Sequence, residues 1–177
     1  MYALASKLIP LPVLSLQTGA NVATIKGLIL DPATLETVAF TCIIPGQVGP
    51  EIALMLRDIR ELALDCVIID SEDDLTELED IVRIKALSKN KFTLNGKVVV
   101  SDMGRRLGKV EDFTINIETN KVQKLYVQQS IIHSFFGASL IVDRTQILDV
   151  SPKQIIVREA TLKGGVLTRD SVPGIYP

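Results

Sequence analysis

The chain has 177 residues, 47% of them hydrophobic and 23% charged, with a formal net charge of −2. That length fits one ordinary domain or two small ones, and the composition calls for a packed core. The near-neutral balance gives no global argument for nucleic acid, and two cysteines with a single histidine exclude a structural zinc site.

From the N-terminus, the longest early charge-free run lies between Lys7 and Lys26, but it contains Pro10, Pro12, Gln17, Thr18, Gly19 and Asn21. A bilayer span needs about 20 predominantly apolar residues, so no membrane insertion is expected. The run "LIPLPVLSL" follows only Lys7 and is broken by two prolines, which argues against a secretory signal. The expected location is cytoplasmic. Cys42 in "AFTCII" and Cys66 in "LDCVII" read as buried strand thiols, with a disulfide as the alternative.

Residues 51–82 hold eleven acids against Arg57 and Arg60. Asp70, Glu72 and Asp74 fall at positions 1, 3 and 5 of a calcium loop. Leu75 then stands where glycine is needed and Ile81 where a bidentate carboxylate is needed. The segment therefore reads as a solvated loop without a metal. Thr76 to Glu79 has capping-box spacing, and Leu78, Ile81, Val82, Ile84 and Leu87 recur at helical intervals. A connecting helix is expected over 75–90. Residues 83–109 hold eight basic side chains, Arg105 and Arg106 among them, against Asp102 alone. Such a stretch fits RNA or an acidic protein. Phe92 is its only aromatic, too few for a base-stacking ladder.

The remainder reads as β. "KVVVSD", "LGKVEDFTINI", "VQKLYVQQS", "ASLIVDR", "QILDVS" and "KQIIVRE" form six short strands separated by turn signals, with "ETNK" as one hairpin turn. Lys97 reads as a surface chain. In "SIIHSFFGASLIV", the cluster Ile131, Ile132, Phe135 and Phe136 is either core or a protruding tip closed by Gly137. In the second case Ile132, Phe135 and Phe136 form an interaction patch for the neighbouring unit, for a second copy in a homodimer, or for another protein. His133 reads as a surface or barrel-rim residue, and its neighbour Ser134 points to the opposite face, so the two form no triad. The tail, 164–177, reads as a flexible terminus.

The chain also matches itself. At an offset of 85, Val13 falls on Val98, Gly19 on Gly104, Thr34 on Thr119, and Ile25, Leu28 and Leu30 on Val110, Phe113 and Ile115. At an offset of 88, Ile59, Leu62 and Ile68 fall on Ile147, Val150 and Ile156. Three extra residues therefore lie between 127 and 147, and the pattern reads as a duplication. Gly19 and Gly104 are expected in turns that need φ > 0. Gly108, opposite Ala23, marks a close backbone approach or a sharp bend. The step of three from Val110 to Phe113 breaks alternation and predicts a bulge near Asp112. The glycine spacing matches no phosphate-binding loop.

The motifs G-K-x-V (Gly96, Lys97, Val99), G-x-x-x-G-x-V-x-D (Gly104, Gly108, Val110, Asp112) and T-x-x-V (Thr119, Val122) resemble the PRC-barrel family. That family includes the cytoplasmic domain of the photosynthetic reaction-centre H subunit and the C-terminal domain of the ribosome maturation factor RimM. The resemblance implies an all-β chain of two tandem six-stranded small β-barrels: 1–74, a divergent first barrel; 75–90, the linking helix; 91–163, the second barrel; and 164–177, the tail. In the first unit Ala23 replaces Gly108, Gly27 replaces Asp112, and Leu11-Pro12 stands for Gly96-Lys97. No nucleophile, base and orienter combine, so no enzyme activity and no cofactor is expected. The expected role is a protein-interaction or assembly module, with an RNA-associated, ribosome-maturation-like adaptor or a small-ligand-binding regulator as alternatives.

Overall fold

The computed structural model describes residues 1–129 and 139–158. In chain order these form β1 (Tyr2–Leu4), α1 (Ala5–Leu8), β2 (Pro12–Ser15), β3 (Asn21–Asp31), β4 (Glu36–Ile43), β5 (Ile52–Met55), β6 (Ile59–Leu62), β7 (Val67–Ile69), β8 (Leu75–Glu77) and α2 (Val82–Lys89). There follow β9 (Val98–Ser101), β10 (Arg106–Asn116), β11 (Lys121–Gln128), β12 (Ser139–Asp143), β13 (Ile147–Val150) and β14 (Gln154–Val157). The described chain is thus mostly β, and its sheet curls into a half-barrel. The main path runs β13-β14-β9-β10-β11-β4-β3-β2-β7-β6, with β1 on β10, β12 on β11, β5 on β4 and β8 on β5. No described helix is long and apolar enough to cross a membrane.

The two long hairpins share one pattern. In β3–β4, Ile25 pairs with Cys42, Gly27 with Thr41 and Leu28 with Phe40, with register shifts at Ile25/Gly27 and Ile29/Leu30. In β10–β11, Val110 pairs with Val127, Asp112 with Tyr126 and Phe113 with Leu125, with shifts at Val110/Asp112 and Thr114/Ile115. Each residue lies 85 positions after its counterpart, shifts included. A bulge inserts one residue, so side chains three apart reach the same face and the strand coils. Ile25, Leu30, Phe40, Val110, Phe113, Ile115 and Leu125 accordingly join one buried cluster that spans both hairpins.

The hairpins meet at their turns. Glu36 on β4 pairs with Lys121 on β11. The Thr37 amide donates to Asn120 O at 2.7 Å and the Val122 amide to Leu35 O at 3.0 Å. Lys121 Nζ lies 3.2 Å from Glu36 Oε1. Leu35 and Asn120 both take left-handed backbone conformations, φ 56° and 58°. Asn tolerates this region well, whereas a buried Leu is strained there. At the 85-residue spacing the Glu36–Lys121 pair maps onto itself and the two amide bonds map onto each other, as across a two-fold axis.

Several expectations need correction. β8 occupies Leu75–Glu77, where the helix was to begin, and pairs Leu75 with Leu54 and Thr76 with Ala53. The edge of β5 offers unpaired backbone groups that outweigh helix propensity there. The capping box forms earlier, between Ser71 and Asp74, and caps the 3-10 turn Glu72–Asp74. α2 starts at Val82 behind Ile81, which provides no side-chain cap. Leu78 and Ile84 are buried against Ile29, Ala39 and Ala53, while Val82 is 83% exposed. A second helix, α1, was not expected. Nor was the placement of β1, which pairs Ala3 with Ile115 on the later hairpin.

The first-strand alignment also shifts by one. Val13 pairs with Ala23 and Val67, whereas Val99 pairs with Gly108 and Ile155. Val99, not Val98, therefore corresponds to Val13, and the turn Ser15–Ala20 holds one residue more than Ser101–Arg105. Leu11 N donates to Leu8 O and Lys97 N to Leu94 O, each at 3.1 Å, so Pro10-Leu11 stands where Gly96-Lys97 does.

Gly108 has φ +156°, and a Cβ there would lie 2.1 Å from Gln128 O on β11. That neighbour is backbone and cannot turn aside. Gly108→Ala is expected to cost roughly 2–3 kcal/mol. Gly46→Ala, whose Cβ meets nothing within 4 Å at φ +76°, is expected to cost about 1 kcal/mol. Urea denaturation midpoints check the order; equal shifts would refute the close-approach argument.

Candidate functional site

The residues singled out by sequence scatter. Ile132, Phe135 and Phe136, with His133, Ser134 and Gly137, lie outside the described residues, as does the tail. Gly19 and Gly104 take φ +68° and +80°. Their amides donate to Ser15 O and Ser101 O at 2.8 and 2.9 Å. Arg105 and Arg106 are exposed at the end of the second of these turns and the start of β10.

Asp112 sits in the β10 bulge and holds the N-terminal segment. Its carboxylate accepts from Ser6 Oγ at 2.5 Å and Ser6 N at 3.2 Å, and from Phe113 N at 2.8 Å. Burial, and then the charge of Asp112, push the phenol of Tyr126 up. A Cβ on Gly27, the counterpart of Asp112, would meet Thr41 Oγ1 at 2.9 Å.

The acids of 70–80 are engaged locally. Arg60 Nη1 donates to Asp70 at 2.7 Å. Asp74 accepts from the amides of Asp70 and Ser71 at 3.1 Å each. Lys85 pairs with Glu79 and holds that carboxyl below its usual range. Among the described residues no three His, Cys, Asp or Glu side chains group to hold a metal ion. Both cysteines are free thiols. Burial pushes Cys42 up to about 12, which keeps it a neutral, unreactive core group. Cys66 differs from expectation: it is only partly buried and precedes β7 in a turn where Ala63 N donates to its carbonyl at 2.9 Å.

Two features were missed. Lys97 is buried, not a surface chain. Its Nζ donates to Pro152 O at 2.7 Å and lies 4.7 Å from the Phe92 ring centroid. Burial holds the ammonium below the usual lysine range. The lysine ties the turn before β14 to the start of β9. The Gly-Lys motif was the signal for it.

Arg144 is the second. It opens the 3-10 turn Arg144–Gln146, capped by Asp143. Its Nη2 donates to Thr34 O at 2.6 Å and its Nη1 to Val122 O at 3.4 Å. The side chain therefore bridges the turn of one hairpin to the strand of the other. Beside it lies a cavity of about 310 Å³ lined by Pro32, Ala33, Leu35, Arg144, Ile147 and Leu148, among others. β13 forms one wall and pairs only with β14 among the described residues; Leu148 on it is 46% exposed. No sequence motif marked this groove, because its walls come from residues over 100 positions apart.

No protein-family model matches the chain, and no curated protein matches it.

Lys97→Ala is expected to cost roughly 2 kcal/mol, because it leaves Pro152 O unpaired and opens a gap against Phe92. Lys124→Ala, on an exposed side chain, is expected to stay within about 0.5 kcal/mol. Denaturation midpoints separate the two; equal midpoints would return Lys97 to the surface.

Proposed function

We propose that the chain is a non-catalytic protein-interaction module built from two PRC-type barrel units that arose by duplication. Two observations support the architecture. The strands fall in the orders β6-β7-β2-β3-β4-β5 and β13-β14-β9-β10-β11-β12, six in each half. The hairpins also repeat their pairing and bulges at a constant spacing.

One observation carries the interaction reading: the groove beside β13, a strand that among the described residues pairs only with β14. A strand edge with unpaired backbone groups is a template for an added extended segment. Leu148 and Pro32 offer apolar contact, and Arg144 and Asp149 offer one charge of each sign. The volume of about 310 Å³ suits a few side chains of a peptide.

A photo-crosslinking residue at position 148 tests this in native cells, with position 103 as control, since Met103 is 84% exposed. The expected result is an adduct with one protein species from position 148 and none from position 103, unchanged by nuclease. Equal labelling from both positions would refute the groove. Nuclease-sensitive adducts would favour the RNA-associated alternative.

A further inference from the structure

We infer that the chain forms a two-fold dimer through the outer edge of β12, with Ile141 on the axis and a second copy of the chain as the occupant. Among the described residues β12 pairs only with β11, continuously from Ser139–Gln128 to Asp143–Lys124 and with no register shift. Its sequence, Ser-Leu-Ile-Val-Asp, holds no proline, lysine or arginine. It therefore lacks the devices that keep an edge from pairing. The counterpart strand β5 shows what such an edge accepts. Met55, Leu54 and Ala53 oppose Ala39, Phe40 and Thr41, just as Asp143, Val142 and Ile141 oppose Lys124, Leu125 and Tyr126. Along Ile52, Ala53 and Leu54, β5 takes β8 as an antiparallel neighbour. The same positions on β12 are Leu140, Ile141 and Val142.

The occupant follows from the strand's own pattern. A two-fold axis through an antiparallel pair passes between a residue and its own copy, so the central residue fixes every other pair. With Ile141 at the centre, Leu140 stands opposite the second copy's Val142, and Ser139 opposite its Asp143. Leu140 and Val142 lie in the buried cluster, so alternation puts Ser139, Ile141 and Asp143 on the outer face. There the two isoleucines meet, each beside Tyr126 of its own β11. On either side of them a hydroxyl faces a carboxylate. Each Asp143 already stands opposite Lys124, so these pairs set no like charges against each other. Centred on Val142 instead, the pairing would set Ile141 against Asp143 twice, an apolar group against a charge. Centred on Leu140, it would set Ile141 against Ser139. Only the register centred on Ile141 matches apolar with apolar and polar with polar. Ile141 is only partly buried within one chain, so the dimer covers apolar surface while the edge amides of β12 gain partners.

Two measurements on the full chain test this. Sedimentation at micromolar concentration should give a dimer for the native sequence and monomers for Ile141→Lys and for Ile141→Glu, since each sets like charges on the axis. Mixing the two variants should restore the dimer. The second measurement uses a Cys66→Ser background, in which the remaining thiol, Cys42, is buried. There Ile141→Cys should form an intermolecular disulfide at least roughly tenfold faster than Asp143→Cys, because only position 141 meets its own copy. A native chain that sediments as a monomer overturns the proposal. So does a dimer that survives Ile141→Lys, or a position-143 disulfide that forms as fast as the one at 141. If a charge at 141 unfolds the chain, the cysteine comparison decides alone.

Discussion

The contact on which the structure turns is the short antiparallel join between β4 and β11. It consists of one residue pair, Glu36 with Lys121, flanked by two amide bonds, Thr37 to Asn120 and Val122 to Leu35. One six-strand set lies on each side of it. The join makes one continuous sheet of them, and the buried cluster follows, because the inward faces of both hairpins then line a single interior. Its geometry needs two residues at positive φ. One is asparagine, suited to that region. The other is a buried leucine, held there by packing.

The near-symmetry of that join makes its departures informative. On the earlier half, β8 extends the edge of β5, and Leu78 together with Ile84 of α2 covers the outer face of β3, β4 and β5, with Arg83 Nη2 3.2 Å from Asp31. On the later half, β1 and α1 take the edge of β10, anchored by Ser6 on Asp112 and by the N-terminal ammonium on Glu118 at 3.1 Å. The chain thus begins on one half and builds the other. Arg144 adds a second tie across the join, and its counterpart, Leu56, carries no charge. The groove beside Arg144 lies where the halves differ, which is why the proposed interaction surface is single.

Much of the fold was legible in the sequence because it depends on local patterns. The six later strands lie where alternation and turn residues put them. The apolar step of three at Val110–Phe113 marked a register shift that the ladder contains. What escaped was set by tertiary pairing. Leu75-Thr76-Glu77 has no strong strand signal of its own and becomes β8 because β5 offers an edge. The extra residue in the Ser15–Ala20 turn hides behind Gly19, which matches Gly104 whichever way the preceding strand is aligned. Lys97 looked exposed because lysine usually is; its burial depends on a carbonyl 55 positions away, at Pro152. The groove could not be read at all, since no single segment contains it.

Amide hydrogen exchange at Thr37 and Val122 tests the central role of the join most directly. If the join holds the two halves in one cooperative unit, both amides exchange only by global unfolding. They then share one rate with the interior amides of the β3–β4 and β10–β11 ladders. If Thr37 and Val122 exchange well ahead of those ladders, the halves separate without unfolding and the join is not what organises the structure.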